Sequence, residues 1–314
     1  MPLRHVVEAQ QFSRGFLDDE LFPAVNAMRD RVRRRDPDLL RCLTGRVMVT
    51  LFYEPSTRTR HSFESAMLRL GGSAISTENA LDFSSAVKGE TLADTVRVEA
   101  CYADVIVLRH FDRWSAKIAA AYSPVPVING GAGPGQHPTQ ALLDVYTIQD
   151  EIGRLDNIAI AMVGDLANGR TARSLCYLLA KYEYPRIFFV SPARMRMRKD
   201  VRRYLQRRGV RFEECDDIRE VAGRVDVIYM TRVQQERMRG KPVRLNGRFV
   251  MDASVLKLMR QDARIMHPLP RTGEIKNRGR VDADLRAAYF RQVHNGLCVR
   301  MALLKMILAP DAPL

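Results

Sequence analysis

The sequence predicts an α/β protein with two doubly wound parallel-sheet domains joined by helices. Apolar runs of strand length alternate with amphipathic stretches of helical length along the chain, and this alternation starts again after Gly153. Strands that are separated by helices form parallel sheets covered on both faces. Because such sheets bind ligands at the carboxyl ends of their strands, we expect functional residues in the loops after the strands, with the active site in the interdomain cleft.

The predicted elements follow from this alternation. In the first half they are strand 46–52, helix 56–70, strand 73–75, helix 92–101, strand 105–108, strand 125–128 and helix 138–152. In the second half they are strand 158–163, helix 171–181, strand 186–190, a basic helix, strand 210–213, strand 225–229, strand 249–252 and a terminal helix from about 297. Turn residues such as Gly71–Gly72 and Gly153 separate them.

The composition is that of a packed protein. Of the 314 residues, 46% are hydrophobic and 27% are charged, which excludes disordered and collagen-like chains. No apolar run approaches the roughly 20 residues of a membrane span, and the first residues lack the pattern of a secretory signal. The five cysteines lie far apart without a CxxC pair, which disfavours disulfides and thiolate metal sites. We therefore expect a cytoplasmic protein with reduced thiols, no metal ion and no cofactor.

The net charge of +14 comes from arginine, since only eight of the 50 basic residues are lysine. Segment 194–208 carries eight basic residues but one aromatic residue, Tyr204. Nucleic-acid-binding proteins usually add aromatic side chains for stacking or a recognisable module. The pattern therefore favours a solvated helix face over a nucleic-acid interface.

The strongest functional signal is the segment STRTR at 56–60, which follows a predicted strand and opens a helix. The free N–H groups and the positive dipole end of a helix start bind phosphate. The hydroxyls of Ser56, Thr57 and Thr59 add hydrogen-bond donors, and Arg58 offers a charged fork. This pattern predicts an anion site, although serine and threonine are also ordinary helix caps.

Two further loops carry polar residues after strands. Arg109 directly follows a predicted strand, so that its charge faces the carboxyl end of the sheet. His137 and Gln140 begin a helix after a glycine-rich stretch, and a spacing of three places them on one face. The glycines let the backbone approach a ligand closely. His137 is able to donate to a carbonyl oxygen or to serve structure, and the residues alone leave both open.

The loop GDLANGRT at 164–171 matches the phosphate-loop pattern GxxxxGK[ST] except that Arg170 replaces lysine. Arginine fits such a loop less well than lysine, and it binds carboxylates in a bidentate manner. Further along, TRVQ at 231–234 and HPLPR at 267–271 follow strands. Arg170, Arg232 and Arg271, without paired carboxylates, therefore predict a site for an anionic small molecule.

Together these motifs resemble the aspartate/ornithine carbamoyltransferase family, in its aspartate-specific branch. The resemblance rests on STRTR, on HPTQ followed by LLD, on GD-x3-GRT, on TRVQ-x-ER and on HPLPR, and it spans nearly the whole chain from about residue 17. STRTR and HPxQ are shared with the ornithine-specific members. Those members carry a cysteine in the second loop and an SMG loop, and neither is present here, which disfavours ornithine.

The resemblance implies transfer of a carbamoyl group from carbamoyl phosphate to L-aspartate, giving N-carbamoyl-L-aspartate and phosphate early in pyrimidine (UMP) synthesis. It implies a carbamoyl phosphate domain at 1–149 completed by a C-terminal helix at 290–314, and an aspartate domain at 150–289. It also implies a homotrimer in which Ser84 and Lys88 reach into the neighbouring subunit's site. A regulatory or dihydroorotase-type partner chain stays open, and no nucleic-acid or membrane partner is expected.

The resemblance also assigns residues to the two substrates. The residues implied to bind carbamoyl phosphate are Ser56, Thr57, Arg58, Thr59, Arg109, His137, Gln140, Pro268 and Leu269. The residues implied to be catalytic are Arg58, Thr59, Arg109 and His137. The residues implied to hold the aspartate carboxylates are Lys88, Arg170, Arg232 and Gln234. Two other hypotheses stay open, a nucleotide hydrolase that uses GDLANGRT and a basic nucleic-acid-binding protein.

Overall fold

The structure, a computed structural model, describes residues 3–83, 85–234 and 245–311. The backbone divides into two units, one made of Met1–Thr139 with His294–Leu314 and the other of Gln140–Val293. Each unit contains one parallel β-sheet with helices. The predicted α/β class with two parallel sheets is therefore confirmed, whereas the assignment of a substrate to each domain stays a prediction.

The sheet of the first unit has four parallel strands in the order β2-β1-β3-β4. The strands are β1 (Val47–Phe52), β2 (Ser73–Glu78), β3 (Val105–His110) and β4 (Val127–Ala132). The helices up to this point are α1 (Phe22–Arg33), α2 (Thr57–Arg69), α3 (Ala80–Phe83), α4 (Leu92–Glu99) and α5 (Ser115–Tyr122). A π-helical segment, Phe16–Leu21, leads into α1.

The sheet of the second unit has five parallel strands in the order β7-β6-β5-β8-β9. The strands are β5 (Ala159–Val163), β6 (Arg186–Val190), β7 (Arg211–Cys215), β8 (Val227–Met230) and β9 (Arg264–Met266). The remaining helices are α6 (Pro138–Ile152), α7 (Arg170–Leu179), α8 (Lys199–Arg207), α9 (Ala253–Leu258), α10 (Arg278–Asp282) and α11 (Tyr289–Leu308). Within the described ranges, no helix is both long enough and apolar enough to cross a bilayer.

The central strands are apolar along their whole length because both faces of each sheet are covered. Every residue of β5 and β8 is buried, and so is every residue of β1 after Val47. An outer strand such as β2 alternates between exposed and half-buried residues. This contrast is the one expected for parallel sheets, and it explains why the central strands were predictable from apolar runs.

Two predicted elements need correction. Residues 249–252 are not a strand: Gly247–Phe249 is a 3-10 turn, and Met251 makes a single bridge to Ile275. The reason is that Asp252 caps α9 by accepting from the N–H groups of Ser254 and Val255, which turns the chain. The terminal helix begins at Tyr289 rather than near 297, since packing overrides the low helix propensity of glycine. Helices α1 and α5 and strand β9 were not predicted.

The two sheets share a device that fixes their central strands. Asp104 precedes β3 and accepts from the first N–H of β1, at Val47, over 2.8 Å. Asp226 precedes β8 and accepts from the first N–H of β5, at Ala159, also over 2.8 Å. In both cases the backbone N–H of the aspartate donates back to the carbonyl of the same partner. The carboxylate thus satisfies a backbone donor where the sheet ladder begins.

We expect Asp226→Ala to destabilise the protein more than Asp104→Ala. The Asp226 side chain is 4% exposed and also pairs with Arg154 and Arg260, whereas that of Asp104 is 29% exposed. Losing a buried acceptor costs about 1–3 kcal/mol, and the loss is smaller where water replaces it. Urea unfolding of both variants measures the difference in the free energy of unfolding. A larger loss of this free energy for Asp104→Ala would contradict the burial argument.

Candidate active site

The carboxyl edge of the first sheet collects the residues that the sequence singled out. Since β1, β3 and β4 are parallel, the segments that follow them lie at the same edge. Phe52 at the end of β1 is in register with Arg109, and the Tyr53 N–H donates to the Arg109 carbonyl over 2.8 Å. The structure therefore places the start of α2 and Arg109 on the same edge of this unit.

The start of α2 has the features of an anion site. Ser56 is the N-cap residue, and its side chain makes no capping hydrogen bond. The first turn carries no acidic residue, and the first N–H groups of a helix have no partner within it. Thr59 is buried, Ser56 is half-buried, and Thr57 and Arg58 are exposed. Helix dipole, backbone donors and hydroxyls thus all favour a negative group here.

The two arginines of STRTR have different surroundings. Arg60 donates to Glu78 over 2.9 Å and to Ser76 over 3.0 Å, and both of these partners belong to the neighbouring strand β2. It therefore ties the helix to the sheet. Arg58 is exposed at the helix start, and its role as a ligand-binding residue stays a prediction.

Arg109 is held by its own unit before any ligand binds. Its Nη1 donates to the carbonyl of Gly130 over 3.2 Å, and its Nη2 lies 3.7 Å from the carboxylate of Glu54. Gly130 lies in β4 and Glu54 follows β1, so that the guanidinium is fixed along the edge of the sheet. A guanidinium carries five N–H donors in one plane, the geometry that suits an anion.

His137 and the glycine-rich loop before it also follow β4. His137 is buried, and its Nδ1 lies 3.5 Å from the hydroxyl of Thr139. The glycines serve a close approach within the protein: Gly133 has φ of 43°, and a Cβ there would lie 2.0 Å from the Phe111 carbonyl oxygen. The expected close approach to a ligand is therefore not needed to explain this glycine.

The loop GDLANGRT in the second unit is not a phosphate loop. The N–H groups of Leu166 and Ala167 both donate to the carbonyl of Met195, over 3.0 and 2.9 Å. The N–H of Gly164 donates to Val190 over 3.0 Å, and that of Asn168 to Asp165 over 3.1 Å. A nucleotide-binding loop needs these donors for phosphate oxygens. The hypothesis of a nucleotide hydrolase therefore loses its structural basis.

Asp165 joins this loop to the loop after β8. Its carboxylate is fully buried and accepts from Asn168 and, over 3.1 Å, from the N–H of Gln234. The close packing requires Gly164, because a Cβ there would lie 2.2 Å from the Thr231 carbonyl oxygen and φ is 116°. Sequence reasoning missed Asp165, although an acidic residue directly after a strand and a glycine was a usable signal.

The three arginines predicted to bind an anionic small molecule differ in their positions and contacts. Arg170 is buried at the start of α7, and Arg232 is half-buried with its Nη1 3.1 Å from the Val233 carbonyl. Both follow neighbouring strands, β5 and β8, at the carboxyl edge of the second sheet. Arg271 instead forms an ion pair with Asp282 and donates to the hydroxyl of Tyr289 over 3.1 Å. These contacts hold the guanidinium within its own unit, and the ligand role of Arg271 stays a prediction.

The HPLPR loop is anchored by a buried histidine. The Leu269 N–H donates to Nδ1 of His267 over 2.7 Å, so that the ring proton is on Nε2 and donates to Glu274 over 2.8 Å. Glu274 also accepts from the N–H groups of Thr272 and Gly273. Leu269 has φ of 56°, in the left-handed region. The carbonyls of Pro268 and Leu269 are thereby held in one conformation.

The residues predicted to come from a neighbouring subunit are described in part. Lys88 is exposed at the end of the short turn Ser85–Lys88. Ser84 and the second half of the TRVQ-x-ER motif lie outside the described residues. Within the part of the chain that the structure describes, no group of three histidine, cysteine, aspartate or glutamate side chains is placed to hold a metal ion.

The chain is similar to known proteins along nearly its whole length. The family described as aspartate/ornithine carbamoyltransferase, carbamoyl-P binding domain, matches residues 4–150, and its Asp/Orn binding domain matches residues 156–307. The chain is 54% identical to the chloroplastic aspartate carbamoyltransferases of Oryza sativa and Arabidopsis thaliana, covering 98% of this chain in both cases and 85% and 78% of theirs. A crystal structure of aspartate transcarbamoylase from Trypanosoma cruzi with aspartate and phosphate has a TM-score of 0.90 and 40% identity, covering 98% and 95%.

The two parallel sheets with their helices define an α/β protein, and cationic and hydroxyl side chains lie at the carboxyl edges of both sheets. This chain belongs to the aspartate/ornithine carbamoyltransferase family. The resemblance predicted from the sequence motifs is therefore confirmed. The expected cytoplasmic location is wrong, because the plant relatives with 54% identity are chloroplast proteins.

The Glu274 carboxylate makes the stability of the folded protein depend on pH in the acidic range. Burial opposes its ionisation, but hydrogen bonds from His267 and from backbone N–H groups lower its pKa from 4.5 to about 2. A carboxylate with a lowered pKa stabilises the folded state above its unfolded pKa and loses that contribution as the pH falls from about 4.5 through about 2. We expect Glu274→Gln to flatten the pH dependence of the urea midpoint in this window and to cost about 3 kcal/mol at neutral pH.

The matched control is Glu220→Gln, which changes an exposed carboxyl group of the same unit. We expect this variant to keep the wild-type pH dependence of the urea midpoint. If the urea midpoints of the two variants change with pH by the same slope between pH 4.5 and pH 2, the anchoring role assigned to Glu274 is contradicted.

Proposed function

We propose that the chain catalyses carbamoyl transfer from carbamoyl phosphate to the α-amine of L-aspartate, giving N-carbamoyl-L-aspartate and phosphate. The family match and the aspartate carbamoyltransferases at 54% identity support this reaction. The observation that carries it is the edge of the first sheet, where the start of α2 and Arg109 offer donors to a phosphoryl group. The reaction supplies an early step of pyrimidine synthesis.

Carbamoyl phosphate is held by its phosphoryl, carbonyl and amino groups in turn. Ser56, Thr57, Arg58, Thr59 and Arg109 bind the phosphoryl oxygens. Arg109 and Thr59, with His137, donate to the carbonyl oxygen. Acceptors for the amino group are Gln140 and the carbonyls of Pro268 and Leu269. The support is that these residues lie at the start of α2, at the end of β3, at the start of α6 and in the anchored HPLPR loop.

Aspartate is held by cations that match its two carboxylates. Arg170 and Arg232, with Gln234, bind them, and Lys88 adds a further charge. The N–H of Gln234 is fixed on Asp165, which leaves its side-chain amide for the substrate. The cationic character of this set favours aspartate over the positively charged ornithine.

The chemistry requires no protein base. The neutral amine of aspartate attacks the carbamoyl carbon, the C–O bond to phosphate breaks, and the leaving phosphate takes the proton from nitrogen. Negative charge develops on the carbonyl oxygen, where each well-placed donor contributes about 3–4 kcal/mol. Holding both substrates in reacting geometry contributes a further ~7–11 kcal/mol. The cations allow two anions to be placed side by side.

The oligomer that follows from this proposal is a homotrimer with shared sites. Ser84 and Lys88 from one subunit complete the site of the next, as the family resemblance implies. Exposure of Lys88 at the end of its short turn supports this role. A dihydroorotase-type or regulatory chain stays a possible further partner.

The substrate assignment is tested by arginine replacement and a choice of acceptors. We expect Arg58→Ala and Arg109→Ala to lower carbamoyl transfer by a factor of about 10² or more, because each removes donors to phosphate or to the oxyanion. Release of phosphate from carbamoyl phosphate is measured with aspartate and with ornithine in parallel. The control is Arg113→Ala, an exposed arginine after the same strand. A preference for ornithine, or normal turnover of both site variants, would overturn the assignment.

The shared site is tested by mixing two inactive variants. Lys88→Ala and Arg58→Ala subunits each lack one part of the site, so that mixed trimers contain some sites with both parts. We expect activity to reappear after the two purified variants exchange subunits. Absence of any recovery, with exchange shown by tagged chains, would mean that each site is built from a single subunit.

A further inference from the structure

A buried polar network surrounds Asp144 on α6 in the second unit. The carboxylate is fully buried and accepts three side-chain hydrogen bonds. Its Oδ1 accepts from Nε2 of Gln140 over 2.8 Å and from Nε2 of Gln292 over 2.6 Å, while its Oδ2 accepts from the hydroxyl of Tyr229 over 2.7 Å. Tyr229 is itself fully buried. All four residues belong to the same unit.

The orientation of both glutamine amides follows from this arrangement. Gln292 accepts the N–H of His267 on its Oε1 over 2.9 Å, so that its NH2 must face Asp144. An ionised carboxylate only accepts hydrogen bonds. Gln140 must therefore also direct its NH2 to Asp144, and its Oε1 is the atom that is turned away from the carboxylate. The side chain four residues along the helix thus decides which end of the Gln140 amide is presented.

The same carboxylate acts on the HPLPR loop through one intermediate. Gln292 joins Oδ1 of Asp144 to the backbone N–H of His267. His267 in turn accepts from the N–H of Leu269 on Nδ1. Asp144 is therefore connected to Gln140 directly and to Leu269 through two buried side chains. These are the acceptors assigned to the carbamoyl amino group under the proposed function.

We propose that Asp144 is a positioning residue for recognition of the carbamoyl amino group. It fixes the Gln140 amide with its oxygen toward the substrate, and through Gln292 it holds the carbonyls of the HPLPR loop. This inference rests on the proposed function and deepens it. A carbamoyl group has an NH2 that donates hydrogen bonds, whereas an acyl group of the same shape has no donor. By this proposal Asp144 enables the site to discriminate between the two groups.

Acetyl phosphate is the probe that separates positioning from general damage. It carries the same phosphoryl and carbonyl groups as carbamoyl phosphate, but a methyl group replaces the NH2. Asp144→Leu replaces the carboxylate by a side chain of similar size without an acceptor, so that the Gln140 amide is no longer fixed and turns its own NH2 to the substrate. A donor facing a donor leaves buried groups unpaired. The variant should therefore lose affinity for carbamoyl phosphate and keep its affinity for acetyl phosphate.

The measured quantities are KM for carbamoyl phosphate and the competitive inhibition constants of acetyl phosphate and inorganic phosphate. For Asp144→Leu we expect KM to rise about tenfold, while both inhibition constants stay within twofold. Tyr229→Phe is the matched variant, since it removes the bond to Oδ2 and leaves the Gln140 contact on Oδ1. We expect its ratio of KM to the acetyl phosphate constant to stay at the wild-type value.

A double variant completes the test. In the Gln140→Ala background, Asp144→Leu should change the same ratio by much less than it does in the wild type, because the amide to be positioned is gone. The positioning role would be overturned if the Asp144 variant bound carbamoyl phosphate and acetyl phosphate more weakly by the same factor. It would also be overturned if the effects of the two substitutions on this ratio were fully additive. Failure of the proposed function is distinguishable, because the wild-type protein would then transfer no carbamoyl group at all.

Discussion

Buried carboxylates that accept backbone and amide N–H groups hold together the loops of the second unit. Asp226 fixes the start of β5, Asp165 joins the loops after β5 and β8, and Glu274 closes the HPLPR turn. Asp144 reaches the N–H of His267 through Gln292. Asp226 acts where strands begin, whereas the loops held by the other three acids follow buried strands, where water cannot satisfy their donors and an unmet donor is costly. The conformation of the candidate site depends on Asp144, Asp165 and Glu274.

Arginine side chains donate to carboxylates and to backbone carbonyl groups within the protein, which explains part of the abundance of arginine. Arg286 pairs with Asp284 and also donates to the carbonyls of Leu256 and Met259, where α9 ends. Arg196 and Arg202 pair with Glu214, which covers part of the basic segment. One guanidinium serves acids and carbonyl groups at once because it has five donors in a fixed plane. The high net charge therefore reflects structural arginines as well as those assigned to substrates.

The sequence predicted what local patterns determine and missed what tertiary contacts determine. Buried strands such as β5 and β6 were found because apolar runs mark them, and the start of α2 was found because its polar residues follow a strand. The pairing of Arg271 with Asp282 was not predicted, because nothing in HPLPR indicates that Asp282 lies beside it. The roles of Asp144 and Glu274 were invisible for the same reason. An acid shows its function only when the fold brings N–H groups to it.

The arrangement separates affinity from specificity. Cations and helix-start donors attract any phosphorylated anion, since charge carries no information about the group attached to the phosphate. A carbamoyl group differs from an acetyl group only by its N–H donors, and discrimination requires acceptors that cannot rotate to become donors. A free glutamine amide would adapt to either group. With its NH2 held by Asp144, the Gln140 amide keeps a fixed polarity, so that a substrate without N–H leaves its oxygen unpaired. Specificity for the carbamoyl group is thus derived from a carboxylate that does not touch the substrate.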